Sequence, residues 1–211
     1  SMTPSATTGT INITASAAYF NANKIGTHIR FGNGTSLDGI ARITGFTSTT
    51  VVTAAVQQTI PTLIAYGATA NPSSFWQEGA WSDDKGWPRT VTSYQGRIIF
   101  GGNTAKPDSI WGSRIANYYD FQEIPSPNTT GPLGYAGGAY STDNARPFTL
   151  TPNAGEVSNI RAMSAAKTLT IHTEKNEIVA YGSKGALGPN DFVFESSTSF
   201  GAAAVQPVRI N

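Results

Sequence analysis

The chain has 211 residues, of which 39% are hydrophobic and only 13% charged, against a charged fraction of about 25% in an average globular protein. Its 14 basic and 13 acidic side chains leave a formal net charge of +1, which gives no sign of a surface built to neutralise many phosphates, so sequence-specific nucleic-acid binding is not expected. With no cysteine, disulfides, thiolate metal centres and cysteine nucleophiles are excluded too, so the fold must rest on packing and sheet hydrogen bonds.

The length suits one large all-β domain or two smaller ones. No apolar run approaches the roughly 20 residues that span a bilayer, and no basic stretch leading into an apolar core opens the chain, so no membrane anchor is expected. Ser1 before Met2 has the look of a tag-cleavage scar, and the chain stops at Val208-Arg209-Ile210-Asn211 inside a strand-like pattern. A piece of a longer protein is the expectation.

Thr10 to Thr14 and Thr27 to Phe31 alternate polar and apolar residues, and Gly32-Asn33-Gly34 offers the positive φ of a tight turn, so both segments read as strands joined by hairpins. Ile40 to Thr44 and Thr50 to Val56 continue the pattern with β-branched residues. Residues 1–72 are therefore expected to form a small antiparallel barrel or sandwich. Ala68 to Ser74, small and polar around a proline, reads as the junction with a second domain at 73–211. Just after it, Phe75, Trp76, Trp81 and Trp87 crowd around the acidic turn Asp83-Asp84-Lys85-Gly86.

From there the strand patterns come in triplets. Thr90 to Tyr94, Arg97 to Phe100 and Ser109 to Gly112 form one set, within 81–121. Asn159 to Ser164, Thr168 to Thr173 and Glu177 to Tyr181 form another, within 159–200. The shared layout of strand, short turn, apolar strand, longer turn and strand predicts part of a β-propeller-like array of short antiparallel sheets. Between the sets, Pro125 to Tyr140 has three prolines and four glycines and reads as a long exposed loop. Arg114 to Phe121 has the only helix-like spacing, with Ser113 as its cap.

The chemical inventory is thin. His28 and His172 sit in separate strand patterns, too few and too far apart in sequence for a metal site. Asp83 with Asp84, and Glu174 with Glu177, are paired carboxylates within turns, where spanning a substrate as a glycosidase requires is difficult and bonding of local backbone is the ordinary role. No Gly-x-Ser-x-Gly elbow is present, and a serine triad would have to borrow a strand histidine. Gly101-Gly102 and Gly137-Gly138 precede no helix and read as turn glycines. No catalytic residue, cofactor or metal site is expected. The tryptophans, with Tyr94, Tyr118 and Tyr119, suit sheet packing, or alternatively a carbohydrate- or receptor-binding platform.

The run Gly86-Trp87-Pro88-Arg89-Thr90-Val91-Thr92, then Tyr94 to Gly102, then Pro107 to Arg114, closing at Tyr119-Asp120-Phe121, resembles a segment of the tail tubular protein B, or nozzle, family of short-tailed phages and prophages. Asp143 to Pro147, Leu169 to Glu177, and Phe200 to Ala203 leading to Gln206-Pro207-Val208 extend the resemblance over about 75–211. It implies a non-enzymatic virion protein, assembled in the host cytoplasm, whose longer full-length chain forms a homo-oligomeric, hexameric ring around the DNA-ejection channel. Partners implied are adaptor and tube subunits, fibres, and DNA passing without sequence-specific binding.

Overall fold

The computed structural model describes residues 1–32, 39–61, 76–121, 144–152, 158–205 and 207. The expected turn at Asn33-Gly34, the junction Ala68 to Ser74, Phe75, the loop Pro125 to Tyr140 with Gly137-Gly138, Asp143, Gln206 and the end from Val208 lie outside the described residues. The protein is all-β, and its described residues fall into two compact units, up to Asp84 and from Lys85 onward.

In the first unit, β1 (Met2–Pro4) and β2 (Thr10–Ala15) precede a 3-10 turn at Ala22–Lys24. Then come β3 (His28–Phe31), β4 (Gly39–Ser48), β5 (Val51–Gln58) and β6 (Trp76–Glu78). They form one six-stranded antiparallel sheet in the order β1-β2-β5-β4-β3-β6, curled into a half-barrel. The curl has a local cause: register shifts interrupt the long β4–β5 pair at three places, and such irregularities bend a strand and increase its twist. Alternation does the rest. Ile11, Ile13 and Ala15 of β2, Ile29 and Phe31 of β3, Ala41 and Ile43 of β4, and Val52 and Ala54 of β5 all point into one core, where Met2, Phe20 and Ile60 join them.

Two expectations change here. Of the strands read as joined by hairpins, β3 does pair antiparallel with β4, but β2 and β3 are not neighbours; β2 lies between β1 and β5. The boundary expected at 72/73 also moves, because β6 adds to β3 with Phe31 opposite Trp76, and residues through Asp84 belong with the first unit. Alternation identifies strands but not their neighbours, and a three-residue edge strand has too little pattern to be assigned to a sheet by eye.

The second unit holds two four-stranded antiparallel sheets. One contains β7 (Thr90–Tyr94), β8 (Arg97–Gly101), β9 (Ile110–Gly112) and β10 (Phe148–Leu150), and the other β11 (Ile160–Ala165), β12 (Leu169–Thr173), β13 (Glu177–Tyr181) and β14 (Val193–Thr198). Each triplet read from the sequence thus gains a fourth strand. The β7–β8 hairpin turns through Gln95 and Gly96, both at positive φ (48° and 73°), which matches the twist of a two-residue hairpin. The two sheets share one core: Ile99, Ile110 and Phe148 from the first, Ile160, Met163, Leu169, Ile171, Ile178 and Ala180 from the second. Gly101 is a strand residue rather than a turn glycine, and a Cβ there would stand 3.0 Å from Met163 Sδ. Its lack of a side chain lets the second sheet approach.

The helical turn expected over Arg114 to Phe121 is absent. Ala116 adopts φ 61°, and the Ile115 and Ala116 amides donate to Ala145 O and Gly96 O, both outside the segment. Those amides serve tertiary contacts and a right-handed helix is interrupted.

Candidate functional site

Three polar arrangements carry the chemistry of the described residues. The first surrounds Lys24, at the end of the 3-10 turn that Asn21 caps by accepting from the Asn23 amide. The Lys24 ammonium, almost wholly buried, lies 2.8 Å from Glu78 Oε1 and 3.1 Å from Asp84 Oδ2. The Tyr19 hydroxyl donates to the other Glu78 oxygen at 2.6 Å, and Asn21 donates to Asp84 Oδ1 at 3.1 Å. Burial opposes the Lys24 charge, but its hydrogen bonds to Glu78 and Asp84 outweigh it and hold the ammonium above its ordinary pKa. Burial, reinforced by Glu78, pushes the Tyr19 phenol well above its ordinary range. A lysine held protonated in this way is neither a base nor a nucleophile, so the group works as a clasp of β6 and the following turn onto the 19–24 segment.

The second arrangement is built on Arg97, which is 0% exposed. Its Nη1 donates to Ser113 O at 2.6 Å and Arg146 O at 2.7 Å, and more weakly to Ala145 O at 3.4 Å. Nη2 donates to Asn144 O, and the guanidinium carbon lies 5.1 Å from the centre of the Phe148 ring. Beside it the Leu187 amide donates to Gln95 Oε1 at 2.8 Å and the Asn190 amide to Asn144 Oδ1 at 3.2 Å. The planar fork ties together chain segments that are distant in sequence, as a lysine could not.

The third lies on the face of the second small sheet turned away from the shared core. Ser164 stands opposite Thr170, and His172 opposite Glu177, on three adjacent strands. Ser164 Oγ is 3.0 Å from His172 Nε2, His172 Nδ1 is 2.8 Å from Glu177 Oε1, and Thr198 donates to Glu177 Oε2 at 3.3 Å. The half-buried serine, histidine and glutamate form a hydrogen-bonded line in the order of a hydrolase triad. The sequence reading named His172 and Glu177 but did not join them to Ser164. The signal was available in the hairpin: with the turn at 174–176, positions 172 and 177 must face each other.

The remaining sequence candidates scatter. His28 is within 3.1 Å of Gln57 Oε1, Glu174 accepts from Arg161, and Asp83 lies in a turn beside Asp84. Trp76 packs edge-on to Tyr19 in the first unit, Trp111 is buried in the second, and Trp87 is 56% exposed. Tyr94 is buried and donates to Lys167 O at 3.2 Å, whereas Tyr118 and Tyr119 are exposed. Among the described residues, no three His, Asp or Glu side chains gather as metal ligands. Comparison with known proteins finds no matching family model and no matching curated protein.

Proposed function

We propose that the chain is a structural subunit of a phage tail, a wall segment of the tube or nozzle through which DNA leaves the capsid. One observation supports this reading most. Segments that carry the resemblance come together where the Arg97 guanidinium meets Ser113 and Asn144 to Arg146, so residues that look familiar in sequence also pack together. Two small four-stranded sheets on one core are consistent with neighbouring blades. A net charge of +1 suits a conduit that must let DNA slide. In this reading the full-length protein forms a hexameric ring, meets adaptor and tube subunits and fibres, and resides in the virion, where its mechanical role as a wall segment requires no catalysis. Immunogold electron microscopy of virions with an antibody to this polypeptide tests it: label confined to the tail is the expected result, and label on the capsid or none on the virion overturns it.

A second reading, a carbohydrate- or receptor-binding module, is favoured by the exposed Trp87. It requires glycan-array binding that Trp87→Ala removes.

A further inference from the structure

We propose that Ser164 is a nucleophile, activated by His172 and positioned through Glu177, that accepts acyl groups from carboxylic esters. This goes beyond the tail reading and stands or falls separately from it.

The direction of the hydrogen bonds follows from the groups themselves. An ionised carboxylate can only accept, so the 2.8 Å contact with Glu177 Oε1 places the histidine proton on Nδ1. With the ring neutral, Nε2 has only a lone pair, and the 3.0 Å contact with Ser164 Oγ then has the hydroxyl as donor. A serine hydroxyl donating to an imidazole whose other nitrogen is fixed by a carboxylate is the arrangement that turns a weak nucleophile into a competent one. Thr198 completes it by holding the second Glu177 oxygen. The line does not serve the core: it occupies the opposite face from Leu169, Ile171 and Ile178, where Ser164 and His172 are half-buried rather than sealed.

Ser164 Oγ would add to the acyl carbon of the ester as its proton passes to His172 Nε2. The C–O bond to the alcohol then breaks, and the leaving oxygen takes that proton from Nε2, leaving acyl-Ser164 and a free alcohol. Water, deprotonated by the same nitrogen, releases the carboxylic acid and restores the hydroxyl. The half-buried surroundings of Ser164 and His172 favour small, unhindered acyl groups such as acetyl.

The test uses the intact chain with a fluorophosphonate probe and with p-nitrophenyl acetate, read by intact mass and peptide mapping. The expected result is one covalent adduct, mapped to Ser164 and absent from Ser164→Ala. His172→Gln should slow its formation about a hundredfold, as loss of a general base does. Glu177→Gln should lower the maximal rate of adduct formation without changing the probe concentration that gives half of it. No adduct on Ser164 of the unaltered protein overturns the proposal whatever the variants do. So does equal labelling of a His172→Gln variant whose melting temperature matches the parent, which would leave the line as cross-strand hydrogen bonding only.

Discussion

The two units each bury a cation, and they do so by different means. In the curled sheet, Lys24 is matched by carboxylates of Glu78 and Asp84. In the paired sheets, Arg97 is cradled by backbone carbonyls from Ser113 and from Asn144 to Arg146, with an aromatic ring at its flank. An ammonium is a compact charge that needs counter-charge wherever that can be supplied, while a guanidinium is a rigid fork that needs acceptors in fixed directions. The first device fastens one segment to a sheet, and the second fixes the mutual positions of several loops.

Arg97→Ala should show the largest effect. It removes the guanidinium donors from Ser113 O, Asn144 O and Arg146 O and leaves a void beside Phe148, at a cost of about 4 kcal/mol, read as lost amide-exchange protection in β7–β10. Arg97→Lys should fail to restore it, and full rescue would break the contrast between fork and point charge. Glu78→Gln comes next, at about 2–4 kcal/mol, because Lys24 keeps only Asp84 as a charged partner. The double change Lys24→Met with Glu78→Leu should recover most of that loss in urea unfolding, since a buried ion pair contributes little beyond an apolar pair of similar size; no recovery would mean that the clasp also specifies local structure. Gly112→Ala should cost about 1–3 kcal/mol through overpacking, its Cβ falling 2.4 Å from the Phe148 ring, with a lowered melting temperature as the check.

The smallest effect is a pH dependence of the clasp in the first unit. Lys24 and Tyr19 both have folded-state pKa values above their ordinary ones, so the fold favours their protonated forms. That contribution is fully present below about pH 10, near the ordinary pKa of both groups, and is lost as pH rises through the folded-state values. Alkaline titration followed by amide exchange should therefore show β6 loosening, and that loosening should shrink in a Lys24→Met, Tyr19→Phe variant.

Much of the strand inventory was legible because it rests on period-two alternation, which survives in β2, β7, β8, β12 and β13 almost residue for residue. What was not legible has a common cause. β6 and β10 acquire their roles from partners distant in the chain, and β14 is itself a strand rich in polar, solvent-facing residues. The same holds for the polar sites. Turn chemistry correctly placed Asp83 and Asp84 in a turn, but nothing local links Asp84 to Lys24. Nor does any local pattern announce that Arg97, in an otherwise apolar strand, is buried. Ser164 and His172 become neighbours only once the β11–β12 register is fixed.

The strand that completes the first small sheet has a consequence for how the chain is made. β7, β8 and β9 follow one another closely, yet β10 pairs with β9 only after the long excursion between Gly112 and Phe148. During synthesis the three-stranded meander can assemble while the edge of β9 and the Arg97 guanidinium wait for Asn144 to Leu150 to emerge.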